Sequence, residues 1–224
     1  MDEARKTNAT RPSDFVVKYL SGRVIDIGSG RDLVCDWAER FDVEDGDANV
    51  ITRHREVCAY DAVHSSHCLE HMRNPEAALS EWWSLIKPGG YMVLVVPDED
   101  LYEQGIWPSA FNSDHKSTFR LGKPTSWSPA SFDIREIVSR LPHCEIISAD
   151  TQDTSYDYSL QRKHGDRNRP ARGLWRAAVV CRMVPNGSSL LKKVLKLLFR
   201  CGVTIDQTLN DALAQIQVVA RKTA

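Results

Sequence analysis

The sequence predicts an α/β domain with a doubly wound, largely parallel sheet, and three segments carry that prediction. Arg23 to Ile27 is a short run rich in β-branched residues that ends in Gly28-Ser29-Gly30, the form of a buried strand entering a tight turn. Asn74-Pro75 opens a helix, and Pro88-Gly89-Gly90 stops it. Tyr91 to Val96 (YMVLVV) is then continuously apolar instead of alternating, as expected of a central strand covered on both faces. Strand, helix and strand in this order form a parallel βαβ unit.

The remaining elements follow in chain order. A polar leader precedes the first strand, and Ala59 to Ser65 is the next strand candidate. In the helix, Asn74 is the N-cap, Pro75 takes the first helical position, and Leu79, Trp82, Trp83 and Ile86 form the apolar face. Residues 98–129, rich in Pro, Ser, Asp and aromatics, are longer than a plain connection needs and read as a loop insertion of the kind that carries function. A helix over Ser131 to Leu141, a strand from Cys144 to about Asp150 and a closing strand, Ala214 to Arg221, complete the sheet. Between the last two strands, 161–213 reads as a second insertion. It contains a basic loop (Arg162, Lys163, Arg167, Arg169, Arg172 and Arg176 against Asp166) and an amphipathic helix, Leu190 to Arg200, expected to pack on the protein's own core.

A chain of 224 residues and 25.3 kDa is expected to be one domain, 1–224. With 42% hydrophobic and 26% charged residues, the composition is that of a soluble globular protein. A net charge of -1 gives no global drive toward nucleic acid. The opening MDEARKTNAT lacks the apolar stretch of a signal peptide, and Tyr91 to Val96 is too short to span a bilayer, so a cytoplasmic location is expected. The six cysteines include no CxxC pair, so neither a zinc knuckle nor a redox motif is read. Nothing in the sequence sets an oligomeric state.

Asp26-Ile27-Gly28-Ser29-Gly30 places a glycine turn at the carboxyl end of the first strand, where open α/β sheets bind ligands. A nicotinamide-binding turn wants a third glycine where this chain has Asp32 or Leu33, and Asp32 would repel a pyrophosphate. Together with VIDIGSG (24–30), the blocks FDVEDGDA (41–48), YDAVHSSHCLEHM (60–72) and NPEAALSEWWSLIKPGGYMVLVVPDEDLYEQG (74–105) cover most of residues 23–105. In these blocks the chain resembles the class I S-adenosylmethionine-dependent methyltransferases, specifically small bacterial members with Leu-Glu-His after the fourth strand.

The resemblance implies a Rossmann-like sheet of seven strands with the last one antiparallel, and S-adenosyl-L-methionine as cofactor. Asp26, Gly28, Ser29 and Gly30 would form the loop around the aminoacyl end. Asp42 would accept from both ribose hydroxyls, since a carboxylate has two oxygens. Asp47 would accept from the adenine amino group while the Ala48 N–H reads a ring nitrogen, and Ser65 and His67 would lie beside the methyl donor. Asp42 follows Gly30 by only 12 positions, so the first helix and early β/α units must be shortened. The alternative for Asp42 to Asp47 is an acidic solvated turn.

Methyl transfer is an in-line displacement for which positioning can suffice, and a base matters when the acceptor is a hydroxyl or protonated amine. The candidate bases are His67, His71, Asp98 and His115, and Asp98, Tyr102, Trp107 and His115 on the loop are the candidate substrate contacts. HxxEH also spells an inverted zinc-protease motif, but Asn74-Pro75 interrupts the helix that motif needs. Local bracing by Glu70 and His71 is preferred to a divalent ion at His67, Glu70 and His71, and no metal is assigned. The expected activity is methylation, at oxygen, of a small molecule or a glycan- or nucleotide-linked acceptor. A nicotinamide-dependent oxidoreductase and a non-catalytic S-adenosylmethionine-binding subunit are the alternatives.

Overall fold

The structure is a computed structural model and describes residues 3–166, 189–209 and 211–223. Its strands are β1 (Val24–Ile27), β2 (Glu39–Phe41), β3 (Tyr60–Ser66), β4 (Ile86–Pro97), β5 (Thr118–Arg120), β6 (Ser131–Asp133), β7 (Cys144–Gln152) and β8 (Gln215–Lys222). Its α-helices are α1 (Glu3–Thr10), α2 (Phe15–Tyr19), α3 (Pro75–Ser84), α4 (Ile134–Ser139) and α5 (Ser189–Arg200). The main sheet runs β2-β1-β3-β4-β8-β7, and β5 and β6 form a separate pair. Strands β2, β1, β3 and β4 are parallel, and β8 lies antiparallel between β4 and β7.

The main sheet has six strands among the described residues, one fewer than the resemblance implies. Between β2 and β3 the chain makes only a short turn of helix, Ala48–Arg53, in place of a further unit. No helix forms between β1 and β2 either. Two tight turns replace it, closed by Asp32 N–H to Ser29 O and Ala38 N–H to Cys35 O. The Asp26 carboxylate holds this stretch by accepting from Val34 N–H at 2.7 Å.

The period-2 alternation of the strands separates two faces. Ile25, Ile27, Val63, Met92, Leu94 and Ile216 pack with Leu79, Trp82 and Trp83 of α3 and with Ile134, Ile137 and Val138 of α4. On the other face, Val24, Ala62, Val93 and Val219 pack with Phe15, Leu20 and Val34. The α3 helix starts as its sequence demands, with Asn74 accepting from Ala77 N–H at 3.1 Å. It ends before the Pro-Gly-Gly turn, however, and Ile86 belongs to β4. Pro88-Gly89-Gly90 becomes an irregularity inside that strand, opposite the register shift between Tyr60 and Ala62. The helix expected from Ser131 starts at Ile134, because Asp133 caps it by accepting from Glu136 N–H.

The leader contains α1, which straps the sheet: Asn8 Nδ2 donates to Val34 O and Arg11 Nε to Gln217 Oε1. Of the basic loop, Arg162 and Lys163 are described, while Arg167, Arg169, Arg172 and Arg176 lie outside the described residues. In α5, Leu195, Leu198 and Phe199 are half-buried and Leu197 is 61% exposed. Among the described residues, no helix is long and apolar enough to cross a membrane.

Candidate active site

The strand order reverses between β1, whose chain continues to β2 on one side, and β3 on the other, and ligands of open α/β sheets bind outside such a switch point. A cavity of about 670 Å³ opens there, lined by Gly28, Asp42, Asp47, Ala48, His67 and His71 of the predicted residues. That volume is ample for a cofactor.

The two glycines of the turn serve different ends. Gly28 has φ +74°, and a Cβ there would lie 2.6 Å from Cys68 Cβ and Sγ, so bare backbone is needed to pack the turn against the segment after β3. Gly30 has φ +60° with nothing within 4 Å of a Cβ, so its backbone conformation is what requires glycine. Its N–H donates to Asp42 Oδ2 at 2.7 Å, and Val43 N–H donates to Asp42 Oδ1 at 2.7 Å. Each Asp42 oxygen retains a second lone pair, so the carboxylate can still accept from the two hydroxyls of a ribose diol.

Asp47 caps the turn after β2, accepting from Asn49 N–H and Asn49 Nδ2, and its other oxygen accepts from Arg73 at 2.8 Å. The Asn49 bonds first, and Arg73 after them, hold its pKa down to about 2. Asp47 is therefore an ionised acceptor at the cavity wall, as an adenine amino group would need. Arg73, which also lines the cavity, has no signal in the sequence that identifies it.

Asp26 and Ser65 lie beneath the cavity wall. Asp26 is 1% exposed, and His64 Nδ1 stands 2.6 Å from its Oδ1. Arg11 donates toward His64 Nε2 at 3.4 Å, so that nitrogen is the acceptor and Nδ1–H donates to Asp26. Burial pushes the His64 pKa down, which keeps the ring neutral. Ser65 Oγ donates to Ile27 O. These two residues brace the turn without lining the cavity.

At the other end of the cavity, three histidines surround Glu70. Its side chain is fully buried, and neither carboxylate oxygen has a hydrogen-bond partner. His67 Nδ1, His115 Nε2 and His71 Nε2 stand 3.6, 3.9 and 4.0 Å from Glu70 Oε1, beyond hydrogen-bond length. The far nitrogen of each ring is engaged. His67 Nε2 meets Gln215 Oε1 at 2.9 Å, His71 Nδ1 meets Asp114 Oδ2 at 2.9 Å, and His115 Nδ1 meets the buried Glu103 Oε1 at 2.6 Å. The loop is stitched to the cluster by Lys116 and Ser117 N–H, both donating to Glu70 O. Burial works to raise the Glu70 pKa, but His67, His115 and His71 outweigh it and hold the carboxyl below its ordinary value.

His67 and His71 do not share a helical face, because His67 is left-handed (φ +53°) and only Leu69–His71 forms a short turn. Asp98 and Trp107 lie apart from the cofactor cavity. Asp98 accepts from Asp100 and Leu101 N–H as the cap of the wide turn Glu99–Glu103, lines a different cavity, and has its pKa pushed up to about 6 by burial. Trp107 lines a third cavity with Trp127 and His164. The Tyr102 ring packs on Phe111 and His115.

No curated protein matches the chain. A methyltransferase of Archaeoglobus fulgidus described as SAM-dependent is 16% identical, with a TM-score of 0.49 over 98% of this chain and 95% of its own. A Bacillus halodurans protein described as a putative methyltransferase is 14% identical, with a TM-score of 0.49 over 100% and 99%. The family model described as "Methyltransferase domain" matches residues 3–151 and carries the assignment by itself, displacing the nicotinamide alternative. The chain belongs to the methyltransferase-domain family and is an S-adenosylmethionine-dependent methyltransferase.

Proposed function

We propose that the chain methylates an oxygen of a small molecule, glycan- and nucleotide-linked hydroxyls included, with the acceptor meeting the cofactor at His67. The observation that carries this reading is the cavity itself. Asp42 and Asp47 offer acceptors for the nucleoside at one end, and His67 and His71 offer ring nitrogens backed by a buried carboxylate at the other.

S-adenosylmethionine, which Gly28, Asp42 and Asp47 would hold, would supply a methyl carbon activated by its sulfonium, passed to the acceptor oxygen with the thioether as leaving group. His67 takes the hydroxyl proton. Gln215 donates its amide hydrogens to Thr7 and Gln152 and turns its carbonyl to His67 Nε2, so Nε2 carries the proton of the neutral ring. Nδ1 then receives the acceptor's proton, and Glu70, 3.6 Å from it, stabilises the imidazolium.

Calorimetry with S-adenosylmethionine and S-adenosylhomocysteine tests the cofactor half. The acceptor half is tested by following S-adenosylhomocysteine formation across phenols, catechols, sugar nucleotides and amines. Product from hydroxyl acceptors supports the reading. Product from amines alone contradicts the oxygen target, and binding with no product from any acceptor leaves a non-catalytic S-adenosylmethionine-binding subunit.

A further inference from the structure

We infer that Glu70, His71 and His115 form a site for one divalent transition-metal ion, with the side facing the cofactor cavity open for an oxygen of the acceptor. One ligand atom from each of the three lies within 4.8 Å of the others. The spacing from Glu70 Oε1 to the ring nitrogens, 3.9 Å to His115 and 4.0 Å to His71, is a few tenths of an ångström longer than the edge, about 3.3–3.6 Å, of a tetrahedron with bonds of about 2.0–2.2 Å, so small side-chain rotations would close the three ligands on an ion. Three features favour an ion over a plain hydrogen-bonded brace.

The first is the carboxylate. Glu70 is completely buried, and both oxygens lack a hydrogen-bond partner, an arrangement costly to maintain unless a cation satisfies it. The second is the set of outer partners. His115 Nδ1 is held by Glu103 at 2.6 Å and His71 Nδ1 by Asp114 at 2.9 Å, so the carboxylates fix both rings with Nε2 toward Glu70. Carboxylate, imidazole and metal in line is the usual support of a ligating histidine. The third is the way the chain assembles the site. Glu70 and His71 follow β3, while His115 is delivered by a loop whose Lys116 and Ser117 N–H groups bond Glu70 O.

Two imidazoles and one carboxylate, with no thiolate, suit Zn²⁺ and its neighbours and disfavour Mg²⁺ or Ca²⁺, which prefer all-oxygen shells. Three protein ligands with a fourth position open is the arrangement of catalytic zinc. His71 lines the cavity and Glu70 lies behind it, so the open position falls on the acceptor side. The role of the ion rests on the proposed O-methylation: it would hold the acceptor oxygen and lower its pKa while His67 takes the proton. Its binding does not rest on that reading.

The test is Zn²⁺ titration of the chelator-treated, metal-free protein by calorimetry, with Co²⁺ absorption to report coordination. S-adenosylmethionine is titrated in parallel. One Zn²⁺ per chain is expected, weakened about 10- to 100-fold or more by His71→Ala and by His115→Ala. His164→Ala, at the third cavity, should bind as the unaltered protein does. His71 is partly exposed, so its variant guards against misfolding of the buried His115 variant. A melting-temperature rise of about 5–10 °C at a hundredfold excess over Kd, absent in His71→Ala, would support the site independently. Failure to bind one Zn²⁺ per chain, or binding by both histidine variants as tight as that of the unaltered protein, overturns the inference. If S-adenosylmethionine binds and Zn²⁺ does not, the site falls and the methyltransferase reading stands; the converse leaves the site and removes the cofactor reading.

Discussion

Two buried carboxylates, Asp26 and Glu70, both lie within reach of histidine, one at the base of the cofactor cavity and one at its far end. Asp26 is satisfied on both oxygens, by His64 at 2.6 Å and Val34 N–H at 2.7 Å, while Arg11 and Gln217 extend the network to the N-terminal strap. Glu70 has three imidazoles near it, none closer than 3.6 Å, and no hydrogen bond at either oxygen. A satisfied buried pair fixes structure, whereas an unsatisfied one is retained at a cost and points to work done with a ligand. Both pairs are an acid and a histidine in sequence, and only the geometry separates brace from site.

The largest effect expected from this contrast is on turnover. With an acceptor in hand, Glu70→Gln and His67→Ala should each lower the rate of S-adenosylhomocysteine formation by about 10²- to 10⁴-fold, with S-adenosylmethionine affinity nearly unchanged. Unaltered rates in both would mean that positioning alone drives the reaction.

A third buried acid sharpens the comparison through pH. The folded-state pKa of Asp98 is pushed from 3.8 to about 6, so the folded chain holds this proton where the unfolded chain has released it. Stability from this group is therefore present below about pH 4 and lost as pH rises through 6. At ~1.36 kcal/mol per unit the loss is about 3 kcal/mol. Urea denaturation between pH 4 and 7 should show the unaltered protein losing stability relative to Asp98→Asn; a constant difference would show that Asp98 ionises normally.

A smaller effect is expected at the cofactor end. Asp42→Asn keeps the size of the side chain but removes one charged acceptor, and should weaken S-adenosylmethionine binding by about 1.5–3 kcal/mol, with a lower melting temperature as well because the Gly30 or the Val43 N–H loses its acceptor. Calorimetry that finds equal affinity would move the ribose contact elsewhere. Gly28 is a poor probe of the same question, because any side chain there strikes Cys68 before it meets a ligand.

Much of this fold is legible because its signals are local. Asn74-Pro75 sets the start of α3, the apolar run Tyr91 to Val96 sets the heart of β4, and the closing strand lies antiparallel as the resemblance implies. The site was less legible because its partners are remote. His67 meets Gln215 across 148 positions, and no local pattern marks that pairing. Glu103 reads in sequence as one more surface acid, and only the fold of the loop buries it against His115. Asp98 and Trp107 follow β4 where an acceptor loop was expected, yet Gln161, which donates to Asp100 O, helps close the cavity that Asp98 lines.

The contrast between brace and site is tested most directly by the unfolding free energies of Asp26→Ala and Glu70→Gln, measured in urea on metal-free protein at neutral pH. Removing Asp26 leaves His64 Nδ1–H and Val34 N–H without their acceptor and takes away the charge that faces Arg11, and should cost about 3–5 kcal/mol. Glu70→Gln breaks no hydrogen bond and keeps the shape of the side chain, losing only the attraction of the surrounding histidines net of the burial they offset, and should cost about 1 kcal/mol, well below the Asp26 loss. A loss from Glu70→Gln as large as that from Asp26→Ala would show that Glu70 is a structural brace, and would contradict the account.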